Sequence, residues 1–511
     1  MNVGAAVGAE VLLEAVGKGR PLRRDAGVAL RKLLGVEVGL EGLSRLFQPG
    51  FPGVRAFAIE GRAAPDQAVE ITLVGIARDG RPVWTGSRAF ALGRDGSLEM
   101  HRGFDEIDPE YQSRNITVDL MQRELDILAL LDQGQASRLT IDAEGVGRYV
   151  CALHGFVFAD ETEEGPPVRS VRALEPSGDR EKLRAAALTL CQRAAERRGL
   201  GKIAQEAAEA QIRAAQSPWD FARLSLGPTP AELAKSDDGE MGVGNLGREL
   251  LLAKETPSWR AALYLHPRDE ETFRSGAEYR RRKTLRSETR IASELQEARQ
   301  GLESRHRALR LRALENLGMV APAWMAGEIK LLTEDTDRRL ATAAKSTLRQ
   351  VSGADLPDRL LSFANDPKQN PRRRGLVYRV LAEHFPDRLK EQVPMLRVNP
   401  DTRIQRAIVP LVADEPDPGP ALAALLAANP WPKKGSREGL AELRLELIER
   451  LALLLDPSTV PVLMEAFRRR ELSPPQSELL ALSRALVAFP DPRAQVVLVE
   501  AARRFQRPQI P

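Results

Sequence analysis

Ile107-Asp-Pro-Glu-Tyr-Gln-Ser-Arg-Asn-Ile-Thr117 stands between a run of strand character and a run of helix character. Where a strand turns straight into a helix, backbone N–H groups at the helix start can cradle the phosphates of a nucleotide-type cofactor. Such a cradle needs bare backbone, which glycine normally supplies, and this stretch has no glycine. It reads as a phosphate-binding turn that side chains have filled in.

Upstream of it, Phe57, Ile59, Ile71, Leu73, Val83, Phe90 and Leu92 fall in short alternating runs. Turn signals at Pro65-Asp66, Arg78-Asp79-Gly80 and Arg94-Asp95-Gly96 separate these runs, which predicts an antiparallel meander of three or four strands. A last strand over 98–107 leads into the filled-in turn. Downstream, Ile116, Leu120, Ile127 and Leu131 share one helix face, and Gln133-Gly134 ends that helix. A strand at 138–142 and a helix followed by a strand over 145–158 complete a mixed α+β domain, placed at 51–165.

Before it, residues 1–50 predict two short helices interrupted by Gly17-Lys-Gly-Arg-Pro21. Residues 166–295 read as a mostly helical connector, with Leu183, Ala187, Leu190 and Ala194 as a stripe and a helix starting at Ser217-Pro-Trp-Asp220. From 296 to 511 the chain is repetitive. Steps at Glu334-Asp335, Asn365-Asp366-Pro367, Asn399-Pro400-Asp401, Asp456-Pro457 and Asp491-Pro492 punctuate it, the regular ones spaced by about 31 to 35 residues. Between them lie apolar sets such as Leu309, Ala313, Leu317 and Leu447, Leu451, Leu454. The expectation is an all-α solenoid of about six helical pairs, none able to bury its apolar face alone.

A chain of 511 residues is too long for one ordinary core. Its 75 Lys and Arg against 71 Asp and Glu leave a net charge of only +4, too slight a basic field to drive nucleic-acid binding. Cys151 and Cys191 cannot make a disulfide framework and suggest a reducing compartment. The histidines at 101, 154, 266, 306 and 384 lack metal-ligand spacing, so no metal is expected. The start carries no signal-peptide pattern, and no uncharged run approaches a membrane span. A cytoplasmic protein without a membrane partner is the expectation.

Over 97–158 the sequence resembles the GNAT superfamily of N-acetyltransferases. In that family a strand precedes Arg/Gln-x-x-Gly-x-Gly/Ala, which opens a helix and takes the coenzyme A pyrophosphate; here the matching run is Gln112-Ser113-Arg114-Asn115-Ile116-Thr117. Gln112 and Ile116 keep the pattern, whereas Asn115 and Thr117 replace the glycines. A second hallmark, a helix ending in Gly-Phe, matches Arg148-Tyr-Val-Cys-Ala-Leu-His-Gly-Phe156, with Cys151 where many active members have a tyrosine that acts as general acid. Ser217-Pro-Trp-Asp220 and Leu246-Gly-Arg-Glu-Leu-Leu-Leu252 look like an extension found with GNAT-like domains inside larger bacterial proteins. The C-terminal part resembles HEAT-type repeats. The resemblance implies a GNAT-like mixed sheet with helices, then an α-solenoid.

If acetyl transfer occurs, Glu99 and His101 share a strand face as candidate bases, and Cys151 is the candidate acid. Each also has a plainer reading, as a strand carboxylate, a strand histidine and a small helix residue. Thr117 would stand where a pyrophosphate must approach, while Arg114 could pair with phosphate. Gly242-Val-Gly-Asn-Leu-Gly247 spells a dinucleotide fingerprint but follows a polar stretch instead of a buried strand, so it reads as a turn. The basic run Tyr279-Arg-Arg-Arg-Lys283 could meet phosphates or an acidic partner, or be a solvated helix. The sequence thus predicts a bacterial, non-catalytic scaffold that holds another protein on its solenoid and needs no cofactor. The alternative is an acetyl-CoA-dependent N-acetyltransferase whose solenoid recruits a protein substrate.

Overall fold

The computed structural model describes residues 22, 24–35, 37–51, 53–63, 68–92, 98–112, 116–131, 137–143, 146–158, 179–198, 202–224, 246–253, 256, 259–265, 270–322, 325–431, 439–468 and 476–505. By its contacts the chain forms two compact units, Met1–Ile76 with Val83–Val351, and Ala77–Pro82 with Ser352–Pro511. Gly17–Pro21 and the turns at 65–66, 94–96 and 133–134 lie outside the described residues.

The first unit is built on a mixed sheet. Its strands are β1 (Val54–Ala63), β2 (Val69–Ala77), β3 (Pro82–Leu92), β4 (Leu98–Ile107), β5 (Arg138–Ala143), β6 (Val157–Phe158) and β7 (Trp259–Tyr264), in the spatial order β1-β2-β3-β4-β5-β7-β6. The apolar alternation upstream of 107 gives strands whose side chains fill the interior, with Ile71, Leu73, Trp84 and Phe90 closed to solvent. Helices α1 (Arg24–Leu34) and α2 (Leu40–Leu46) pack on β1. The Gln48 side chain then pairs with that strand's backbone, donating to Val54 O at 2.8 Å and accepting from Ala56 N at 3.1 Å. This satisfies groups that an edge strand would otherwise present.

β3 and β4 are antiparallel, and β4 and β5 are parallel, with α3 (Pro109–Gln112) and α4 (Ile116–Leu131) in the crossover. After β5 come α5 (Val146–Leu153), β6, α6 (Asp179–Arg198), α7 (Lys202–Ala214), α8 (Pro218–Ala222) and α9 (Leu246–Leu252). The expected start at Ser217 is a capping box: Asp220 N donates to Ser217 Oγ at 3.2 Å and Ser217 N donates to Asp220 Oδ2 at 2.9 Å.

β7 lies in the segment expected to be mostly helical. Trp259-Arg-Ala-Ala-Leu-Tyr264 is short and alanine-containing, so local preference does not mark it as a strand. It becomes one by pairing antiparallel with both β5 and β6. The long α10 (Glu270–Glu303) follows, then α11 (Arg307–Val320), α12 (Ala326–Leu331) and α13 (Arg338–Ser352). Ala298, Leu317, Ala321, Met325, Ile329 and Val351 form one small core among these helices.

The second unit is helical: α14 (Leu356–Asn365), α15 (Pro371–His384), α16 (Val393–Arg397), α17 (Thr402–Ala413), α18 (Pro418–Ala428), α19 (Leu440–Leu454), α20 (Val460–Arg468), α21 (Gln476–Ala488) and α22 (Pro492–Phe505). α15 packs on α17, α17 on α19 and α19 on α21, while α18 packs on α20 and α20 on α22. The acidic steps act as caps and turns. Asp366 Oδ1 accepts from Lys368 N at 3.0 Å, Asp401 Oδ1 from Arg403 N at 2.9 Å, Asp456 Oδ1 from Ser458 N at 2.9 Å, and Asp491 Oδ1 from Arg493 N at 2.8 Å. Two residues expected on buried stripes, Leu309 of α11 and Leu454 at the end of α19, are instead exposed.

Buried ion pairs join alternate helices of the second unit. Glu446 of α19 accepts from Arg379 of α15 at 3.1 Å and from Arg406 of α17 at 3.0 Å. Arg444 of α19 donates to Glu478 of α21 at 2.8 Å, and Trp431 Nε1 donates to the other Glu478 oxygen at 3.0 Å.

Candidate functional site

The turn over 107–117 joins β4 to α4, and the candidate residues around it lie on β3, β4, β5, α4 and α5. Its entry is described: Asp108 N donates to Val83 O at 2.8 Å and Tyr111 N to Asp108 O at 2.9 Å. The Tyr111 ring is buried edge-on against Phe51, with centroids 5.9 Å apart. Gln112 ends α3. Ser113, Arg114 and Asn115 lie outside the described residues. Ile116 opens α4 and is fully buried, and Thr117 beside it is half-buried.

Next to this turn β4 carries a bulge. Gly86 pairs with Asp105 and Arg88 with Arg102, so one residue of β3, Ser87, faces two of β4, Gly103 and Phe104. Such an insertion bends a strand and leaves its extra residue out of the ladder. Phe104 is accordingly 52% exposed. A Cβ on Gly86 would run into the Asp105 carboxylate, and one on Gly103 would displace the Ser87 hydroxyl.

Pairing between β4 and β5 runs from Glu99 with Arg138 to Arg102 with Ile141. Among the described residues it goes no further, although β4 continues to Ile107 and β5 to Ala143. The two central strands therefore leave each other's ladder just where the bulge begins.

A buried four-charge cluster holds the bulge. Arg88 donates Nε to Glu124 Oε1 at 2.6 Å and Nη1 to Asp105 Oδ1 at 3.0 Å. Arg102 donates Nε to Asp105 Oδ2 at 2.5 Å and Nη1 to Glu124 Oε2 at 3.1 Å. Trp84 Nε1 adds a bond to Asp105 Oδ1 at 3.1 Å. Burial alone would raise the Asp105 carboxyl, but Arg102 and Arg88 outweigh it and hold that group below the ordinary carboxylate range. For Arg102, burial would lower the guanidinium, and Asp105 with Glu124 push it up instead. Two cations and two anions balance inside this cluster, which suits it to fixing strand geometry.

The sequence candidates Glu99 and His101 are brought together on β4. Thr140 of β5 donates its hydroxyl to Glu99 Oε1 at 2.9 Å and lies 3.1 Å from His101 Nδ1. Since that hydroxyl has one proton, given to Glu99, the Nδ1 of His101 is the donor to Thr140. Arg138 donates to Glu99 Oε2 at 2.9 Å. Glu99 and His101 are both buried, with the carboxylate committed to an arginine and a threonine.

Cys151 sits in α5 with 1% exposure, and burial pushes its thiol up to about 12. It stays protonated at neutral pH and is enclosed away from solvent. Three residues on, burial together with the Arg280, Arg102 and Lys283 charges pushes His154 down to about 3, so it is neutral. The Tyr279 ring packs edge-on to it at 5.2 Å, and Arg280 donates to its backbone carbonyl. Sequence reasoning missed Arg88, Arg102, Asp105 and Glu124. Their one signal is charge placed on strand and helix positions that are otherwise apolar.

The stretch Gly242-Val-Gly-Asn245 lies outside the described residues. Gly247 is inside α9, where a Cβ would strike the Phe221 and Ala222 backbone, so close helix packing accounts for it. No group of three or more His, Cys, Asp or Glu among the described residues could hold a metal ion. No helix among them is long and apolar enough to cross a membrane. Comparison with protein-family models, curated proteins and solved structures finds no match to this chain.

Proposed function

We propose that this chain is a non-catalytic interaction scaffold, a GNAT-like domain with a degenerate coenzyme A turn joined to a HEAT-like α-solenoid that holds another protein. The observation that carries it is the packing order of the second unit. One set of helices stacks as α15, α17, α19 and α21 and another as α18, α20 and α22. Stacking of alternate helices in two layers is how repeat arrays extend, and such arrays present long surfaces to protein partners. The polar groups of the first unit support the same reading. Glu99, Asp105 and Glu124 are engaged with arginines, as groups that hold structure are.

A second reading, an acetyl-CoA-dependent N-acetyltransferase whose solenoid recruits its substrate, is favoured by one observation. Beside the turn, β4 bulges and its pairing with β5 stops at Arg102. A ligand could enter between strands that part in this way.

Calorimetric titration of the full chain with acetyl-CoA separates the two. The scaffold predicts absent or millimolar binding. Micromolar binding lost on Gln112→Ala and Arg114→Glu would instead establish the coenzyme site.

A further inference from the structure

His154 directly follows α5 and is 2% exposed. Its Nδ1 is closed to solvent, and no described residue hydrogen-bonds it. Buried polar atoms in native proteins are as a rule paired, so this imidazole is held in place by packing.

α10 supplies that packing. Gly276 lies so close that a Cβ there would strike the His154 carbonyl oxygen and the Gly155 backbone. One turn on, the buried Arg280 donates to the same carbonyl. The Tyr279 ring meets the imidazole edge-on at 5.2 Å. The start of α10 is thus seated on His154 and Gly155. Its far end is held separately, through Ala298 in the small core with Leu317 and Val351.

The charges pressing on the ring are cationic: Arg280 and Lys283 of α10, and Arg102 of β4. On α5 itself, Cys151 is a protonated thiol. Among the elements packed on α5, α8 carries Asp220, exposed and engaged in its capping box with Ser217. α9 carries Arg248, exposed, and Glu249, half-buried, and β5 carries Asp142, also half-buried. None of these three carboxylates is buried with the ring. Glu124 of α4 and Asp105 of β4 are already bonded to Arg88 and Arg102. The carboxyl end of α5 would favour a cation, but Arg280 already occupies the His154 carbonyl. A neutral imidazole fits this place and an imidazolium does not.

We propose that His154 is an acid-sensitive catch: protonation of its ring releases the start of α10 from the end of α5 while the sheet stays folded. Burial and the cations around it keep the enclosed ring from taking a proton, whereas an exposed histidine takes one near pH 6.5. The open state therefore binds a proton that the closed state refuses. Closure is complete above that pH and weakens below it, by about tenfold per pH unit. All the groups involved belong to the first unit, so this response is independent of the scaffold reading.

The test is amide hydrogen exchange by mass spectrometry on the full chain from pH 7.5 to 5, parent and variant being compared at each pH. His154→Phe keeps a ring against Tyr279 and cannot titrate, and His154→Gln is a second non-titrating variant should the first not fold. The expected result is that peptides covering 150–155 and 274–283 lose protection in the parent relative to the variant, by roughly thirtyfold at pH 5. Peptides from β2 and β3 should keep theirs. Equal acid responses in parent and variant, or loss of protection in β2 and β3 together with α10, would overturn the proposal. So would a His154 imidazole signal, assigned by its absence from the variant, that titrates near pH 6.5 in NMR spectra while α10 stays protected.

Discussion

Arg88 and Glu124 meet at 2.6 Å, a strand guanidinium against a helix carboxylate, with 0% and 1% of their side chains open to solvent. A pair so enclosed does not have to stabilise the fold relative to an apolar pair of the same shape. Breaking it, however, leaves a charge in the interior. Glu124→Ala is expected to cost about 3–5 kcal/mol, because Arg88 and Arg102 would then share Asp105 alone. Glu124→Gln keeps a carbonyl acceptor and should cost less. Urea denaturation of the full chain gives both numbers, and a Glu124→Ala protein as stable as the parent would refute the cluster's role.

Asp105 gives the cluster a pH signature. Arg102 and Arg88 hold its folded pKa below the unfolded value, near 4 for an aspartate. The folded state thus binds the proton less readily than the unfolded chain. The contribution of Asp105 is complete above the unfolded value and is lost as pH falls through the folded one. Asp105→Asn should be less stable at pH 7, yet show a flatter loss of stability below about pH 4. Parallel acid slopes for the two proteins would argue against the assignment.

How much of this could be seen in the amino-acid string depends on the range of the interaction. The alternation through Ile71, Leu73 and Phe90 and the helical spacing from Ile116 to Leu131 are local, and both became elements where expected. The acidic steps at 366, 401, 456 and 491 were legible for the same reason, since an Asx cap spans only two residues. β7 was not, because Trp259–Tyr264 owes its strand state to β5, more than a hundred residues earlier. Nor were the pairs Arg88–Glu124 and Arg379–Glu446, separated by 36 and 67 residues. Arginines in amphipathic segments look solvated until a distant carboxylate is placed against them. Glu99 and His101 were legible as neighbours on one strand face, but Thr140 and Arg138 that engage them arrive from the next strand.

Gly53 offers a check on backbone packing in the first unit. It has φ of +86°, and a Cβ there would run into the Met319 carbonyl oxygen of α11. Gly53→Ala should therefore destabilise by roughly 1–3 kcal/mol, the scale of left-handed strain with a backbone clash added. A melting temperature unchanged from the parent would show that α11 does not lie so near that turn.

The two cysteines should be silent in the native protein. Cys151 and Cys191 are both enclosed, and burial pushes both thiols up, Cys151 to about 12. Thiolate is the reactive species, so iodoacetamide at pH 8 should label neither until denaturant is added. Peptide mass spectrometry reads the outcome at each position. Native labelling of Cys151 would mean that solvent reaches α5 and would restore that thiol as a candidate acid.

In the second unit the decisive comparison is between one substitution and two. Arg444 reaches Glu478 at 2.8 Å and the Asn429 carbonyl at 2.6 Å, with its charge buried between α19 and α21. Glu478→Ala removes the counter-charge and also the acceptor of Trp431 Nε1, so it should cost about 3–5 kcal/mol. Arg444→Met with Glu478→Leu removes both ions and puts apolar volume in their place, and most of the loss should return. Partial recovery is expected, because Trp431 Nε1 and the Asn429 carbonyl each still lose a partner. A double variant no more stable than Glu478→Ala would show that the ion pair itself, and not the avoidance of a lone buried charge, holds these two helices together.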